Sequence, residues 1–251
     1  MFAYLYTSSI REFTALKKLM IWVFGIIAIL ILAYTINYFV KGDTSTMKFD
    51  RLISMMGFRV TAIVSAVYST WVIASEVEQR TIVYLLTRPI PRPVLIFSRA
   101  LASITAVGIL TTLVTLVLWM MSGAPGGLPM REIGISWLGA FAYGGLFLFV
   151  SLILNRAMIY CLLYAFGWEA LVPNMPGEIF LTSIQWHMSN LAKAGKTVPE
   201  AAPTLLGGSA QTANIAPMVS VSILVIGFIL MMGLSAYWFK TFEYVPREDA
   251  E

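Results

Sequence analysis

An all-α, polytopic membrane protein is the fold class this sequence predicts, and three observations predict it. Apolar residues make up 59% of the 251 and charged residues 12%, against roughly 45–50% and about 25% in soluble domains. Mean hydropathy is +0.80, more apolar surface than a soluble chain of this size can bury. The apolar residues also gather into stretches near bilayer-crossing length, about 20 residues at ~1.5 Å each for ~30 Å of hydrocarbon. Within hydrocarbon the backbone must satisfy its own hydrogen bonds, so such stretches are expected as helices.

Six segments meet or approach that length: Met20–Val40, Met55–Ala74, Leu101–Met121, Gly134–Leu154, Ala157–Leu171 and Pro217–Phe239. The first reads as a retained span. It is long for the apolar region of a signal peptide and ends in Lys41-Gly42-Asp43 without a small-residue cleavage pattern. The fifth is short and closes in Gly167-Trp168-Glu169, which predicts a broken or tilted helix. Ahead of the first span, in residues 1–19, Leu5, Ile10, Phe13 and Leu16 are interleaved with Arg11, Glu12, Lys17 and Lys18. That spacing suits a helix lying in the headgroup layer, with a plain cytoplasmic tail as the alternative.

Charge sets the expected orientation. With the N-terminus inside, the inner pieces hold ten basic residues: Arg11, Lys17, Lys18, Arg80, Arg88, Arg92, Arg99, Arg156, Lys240 and Arg247. The outer pieces hold six, Lys41, Lys48, Arg51, Arg131, Lys193 and Lys196, so both termini are expected in the cytoplasm. Residues 1–251 are read as a single transmembrane domain with two notable segments outside the membrane, 75–93 within and 172–216 without. In the outer one, Ile179, Phe180, Ile184, Met188 and Leu191 form an apolar stripe opposite Thr182, Gln185, Ser189 and Lys193. This predicts an amphipathic helix resting on or dipping into the outer leaflet. Gly123 to Gly127 and Asn155-Arg156 read as tight connectors.

Several function classes are disfavoured. The net charge of +4 is spread through short juxtamembrane pieces, with no basic run to track a phosphate backbone, so no nucleic-acid partner is expected. One cysteine, Cys161, and one histidine, His187, leave no disulfide and little material for a transition-metal site. His187 is expected as an interfacial side chain and Cys161 as a small apolar filler. Gly195-Lys196-Thr197 resembles the end of a phosphate-binding loop, but Asn190 stands where that loop needs its earlier glycine. No cofactor is expected in this chain. Two ionisable groups fall within spans: Arg59, expected to snorkel or pair with a neighbouring helix, and Glu169, which would touch cargo or sit opposite Arg59.

The inner segment carries the most information. From Glu76 to Leu86, about three helical turns begin with acids that suit the helix dipole. Val77, Thr81, Tyr84 and Leu85 share one face. Prolines at 89, 91 and 93 then hold Arg88, Ile90 and Arg92 extended, and Pro93 is placed to open the third span. The product is a short surface helix followed by a stiff elbow, a shape suited to docking another protein and passing on its motion.

Here the chain resembles the ABC-2 type permeases, the membrane subunits of a class of ABC exporters. Glu76, Thr81, Leu85-Leu86, Pro89, Arg92 and Arg99 stand at the places of that family's signature. Arg80 replaces its glycine, and Arg99 its final lysine. The resemblance implies that residues 76–86 form a coupling helix seated in a cytoplasmic ABC ATPase, two copies of which would serve two paired permeases. ATP and Mg would lie on the ATPase. The chain would be a non-catalytic subunit in the cell's inner (plasma) membrane, in contact with membrane lipid, and would export. The segment around Ile179–Leu191 would resemble the re-entrant hairpin at the family's exit. The alternatives are an ABC machine that transmits force or extracts lipid for an outer partner, and a transporter or channel that uses no ATPase. The latter predicts several ionisable groups at mid-membrane; only Arg59 and Glu169 stand within the spans.

Overall fold

Long apolar runs should form helices in lipid, and every regular element in the computed structural model is helical among the residues it describes: 2–13, 16–39, 44–78, 92–124, 128–154, 156–172, 179–193 and 216–241. In chain order these are α1 (Phe2–Phe13), α2 (Leu16–Phe39), α3 (Ser45–Leu52), α4 (Phe58–Glu78), α5 (Arg92–Ser122), α6 (Leu128–Ile153), α7 (Ala157–Leu163), α8 (Ile184–Lys193) and α9 (Pro217–Thr241). Among the described residues four helices are long and apolar enough to cross a membrane: Ser45–Trp71, Pro93–Ser122, Pro129–Ile153 and Pro217–Thr241. The other two expected spans are represented by shorter apolar helices, Gly25–Ile36 within α2 and Ala157–Leu171.

The expected second span, Met55–Ala74, begins ten residues too late. Thr44 caps α3 by accepting a hydrogen bond from the Met47 N–H at 3.4 Å. Phe49 and Leu52 on α3 are buried, and the helix continues through a π turn at Ile53–Gly57 into α4. Lys48, Asp50 and Arg51 depress the average hydropathy of this stretch although its inner face is apolar. The fourth span likewise starts early, at Leu128, carrying Arg131 and Glu132 on its first turns. The fifth is interrupted as its length suggested: α7 widens into a π turn at Tyr164–Trp168 before a last turn at Glu169–Leu171.

Helix α6 is the centre of the bundle, with α4, α5, α8 and α9 all packed on it. The Trp137 ring lies over Gly108 of α5, where a Cβ would meet it at 2.7 Å, and its Nε1 donates to Thr112 Oγ1 at 3.1 Å. Phe141 meets Phe228 of α9 edge to face at 5.2 Å, a favoured aromatic geometry. Two buried threonine hydroxyls are satisfied within their own helices: Thr61 donates to the Gly57 carbonyl at 3.0 Å and Thr115 to the Thr111 carbonyl at 2.9 Å. Helix α1 packs against α5, where the Tyr6 hydroxyl donates to Thr105 Oγ1 at 3.2 Å. Helix α9 is peripheral, with 22% of its apolar window buried against 67% for Ser45–Trp71.

Candidate functional site

Two regions hold the residues singled out from the sequence. In the first, Glu76 lies in the last turn of α4 and Arg92 opens α5. Thr81, Leu85, Leu86 and Pro89 lie outside the described residues. Helix α5 has 31 residues, about 46 Å at ~1.5 Å per residue. That exceeds the ~30 Å of hydrocarbon.

The second region is built around α8. Four N–H groups open any helix without intrahelical partners, and here each has an acceptor. Ile184 donates to Glu169 Oε1 at 3.1 Å and Gln185 to Glu169 Oε2 at 3.2 Å. Trp186 donates to Ser183 Oγ at 3.0 Å, and the N–H of the cap residue Ser183 to the Phe180 carbonyl at 3.0 Å. The Ser183 hydroxyl donates in turn to Glu169 Oε2. Glu169 is 1% exposed, and its charge is met by these donors and by the positive end of the α8 dipole. Tyr143 of α6 is wholly buried and reaches toward the same carboxylate, within electrostatic range but without a completed hydrogen bond.

Arg59 is exposed on α4, well inside the longer helix that begins at Ser45, and no ion pair joins it to Glu169. The geometry thus brings Glu169 to α8 and leaves Arg59 apart.

His187, expected at the interface, is 1% exposed. Its Nε2 lies 2.9 Å from the Leu181 carbonyl, which can only accept, so Nε2 carries the proton. Nδ1 is then the acceptor for the Ser220 hydroxyl at 3.1 Å, and Ser220 Oγ accepts from Asn190 Nδ2 at 3.0 Å. This chain ties α8 to α9. At the other end of α8 the Arg131 guanidinium of α6 donates to the Leu191 carbonyl. Phe180, Met188 and Leu191 are buried as the stripe predicted, whereas Ile179 is exposed and Gln185 is buried.

Burial holds the His187 imidazole below its ordinary value of 6.5, partly offset by the bond to Leu181. A depressed value means that the unfolded state takes up protons more readily than the folded one. The contribution of His187 to stability is therefore fully present above pH 6.5 and is lost as pH falls below. The stability advantage of the wild type over His187→Asn is expected to shrink between pH 7.5 and 5.5. Thermal unfolding followed by tryptophan fluorescence checks this, and an advantage constant across the range refutes it.

Among the described residues no group of three or more His, Cys, Asp or Glu is placed to hold a metal ion. Glu169 drew attention from sequence as an acid at the end of an apolar segment. Ser183, Asn190 and Ser220 carried no such signal, and Arg131 was legible only as a charge counted for orientation.

A comparison with curated proteins finds no match. A comparison with protein families finds one over residues 10–173, described as ABC-2 family transporter protein. The match runs through α4, the segment between α4 and α5, and Glu169, and it covers well over half of the chain. This helical membrane protein belongs to the ABC-2 family of transporter proteins.

Proposed function

We propose that the chain is the permease subunit of an ATP-driven ABC exporter, working with a separate cytoplasmic ATPase. Two copies of the permease, or this chain and a similar one, pair to line the pathway, and two ATPase copies bind beneath them. ATP and Mg are held by the ATPase; the permease is non-catalytic. Both termini face the cytoplasm of the inner (plasma) membrane, and the chain crosses it six times. Helix α2 and the Ala157–Leu171 segment supply the two crossings beyond the four long spans.

The observation that carries this reading is the family match, which contains the whole 75–93 segment. There Glu76, Thr81, Leu85, Leu86, Pro89 and Arg92 take the coupling role. Closure of the ATPase dimer pushes on residues 76–86, and the proline elbow passes that motion into α5. Glu169 braces the outer end of the pathway. Arg59, charged and exposed on the side of α4, meets either headgroups by snorkelling or the partner permease.

The test is mild-detergent purification of the tagged chain from its own cell, with mass spectrometry of the material that co-elutes. A stoichiometric P-loop ATPase with vanadate-sensitive ATP hydrolysis is expected. Elution alone, without hydrolysis, overturns the reading.

A further inference from the structure

Helix α8 has ten residues, fewer than the ~12–15 at which an isolated helix is even marginally stable in water. Its stability must come from its surroundings, and the structure shows where. Its first turn is held by Glu169, from the end of the Ala157–Leu171 segment. Its last turn is held by Arg131, from α6. Its middle is tied to α9 through His187, Asn190 and Ser220. The acid lies at the positive end of the helix dipole and the base at the negative end, so both contacts favour the same helical state. Met188, wholly buried, seats on Gly139 of α6, where even a Cβ would collide with it.

These fastenings depend on one another through the helix. If Glu169 is lost, the first N–H groups lose their acceptors, and a helix this short does not survive fraying of one end. If Arg131 is lost, fraying starts from the other end with the same result. A half-docked α8 still bears the cost of ordering the chain while losing part of what offsets it. We propose that α8 is a two-state latch, docked with both ends held or released as a whole, with Glu169 and Arg131 as its two fastening points. The end of the bundle it covers, outermost in the proposed topology, would then open in one step.

The test is amide hydrogen exchange of the purified chain in nanodiscs, without any ATPase, so the outcome is independent of the exporter reading. Glu169→Gln is expected to speed exchange about tenfold or more at Ile184 and Gln185, and by a similar factor at Leu191 to Lys193, the end it does not touch. Arg131→Gln is expected to do the reverse, loosening Ile184 and Gln185 as much as its own end. If each variant loosens only its own end, the latch is not a unit and the proposal is overturned. Should either variant fail to fold, the wild type decides by its exchange in rising denaturant. Amides at the two ends of α8 are expected to open with one free energy and one slope, and two separate openings overturn the proposal.

Discussion

Replacing Leu85 and Leu86 together by aspartate is expected to leave the chain in the membrane and strip the ATPase from it. The two leucines follow Glu76, in the last turn of α4, and Thr81. They stand in the stretch that the sequence predicts as a short surface helix before the proline elbow, where an apolar pair is the natural contact for a cleft in another protein. Seating two carboxylates in such a cleft requires desolvating them without partners, which costs several kcal/mol. An interface centred on a few apolar anchors does not survive that loss. Neither position falls in an apolar span, so insertion and folding of the helices should be unaffected. Co-purification before and after the change, with membrane content measured by immunoblot, gives the answer. Retention of a stoichiometric ATPase by the double variant would remove residues 76–86 from the coupling role.

The second large effect is expected at Glu169. Glu169→Ala leaves the buried Ser183 hydroxyl and the Gln185 and part-buried Ile184 N–H groups without their acceptor. Three such donors at about 1 kcal/mol or more each give a loss on the order of 3 kcal/mol. At about 2–4 °C per kcal/mol for a chain of this size, the unfolding temperature should fall by roughly 6–12 °C. Glu169→Gln keeps the volume but offers one acceptor oxygen and turns an N–H₂ toward donors, so it should recover little. Glu169→Asp keeps the charge on a shorter stem and should fall between wild type and alanine. Thermal unfolding reads all three, and an alanine variant as stable as the wild type would show that the carboxylate is not what holds α8.

How much of this was legible in the sequence depended on how uniform each stretch is. Helix α9 ends within two residues of its expected bound because Pro217–Phe239 is apolar on every side and opens at a proline. The start of Ser45–Trp71 was missed because Lys48, Asp50 and Arg51 share α3 with the buried Phe49 and Leu52. An average along the chain cancels the two faces of such a helix. In the site, Glu169 was visible as a charge in an apolar context, but its partners were not. Ser183 and Gln185 lie 14 and 16 residues further on, a separation that no helical period encodes, and each resembles any polar residue of a loop. His187 was read as interfacial because no second ligating side chain stands three or four residues away. It is buried because Leu181 and Ser220 supply both of its hydrogen bonds, a fact that exists only once α8 and α9 meet.

The brevity of the Ala157–Leu171 segment has a consequence for the lipid. At ~1.5 Å per residue it covers about 22 Å, while α5 in the same molecule runs to about 46 Å. Ile159, Leu163 and Phe166 stand exposed along it; in the proposed six-span topology, acyl chains beside it would meet an apolar wall roughly 8 Å shorter than the ~30 Å they would otherwise span. Thinning the bilayer to match costs a fraction of a kcal/mol per Å, summed over the lipids along that flank. Shorter acyl chains reduce that cost. In that topology one side of this protein would prefer thin membrane, a preference the side carrying α5 would not share.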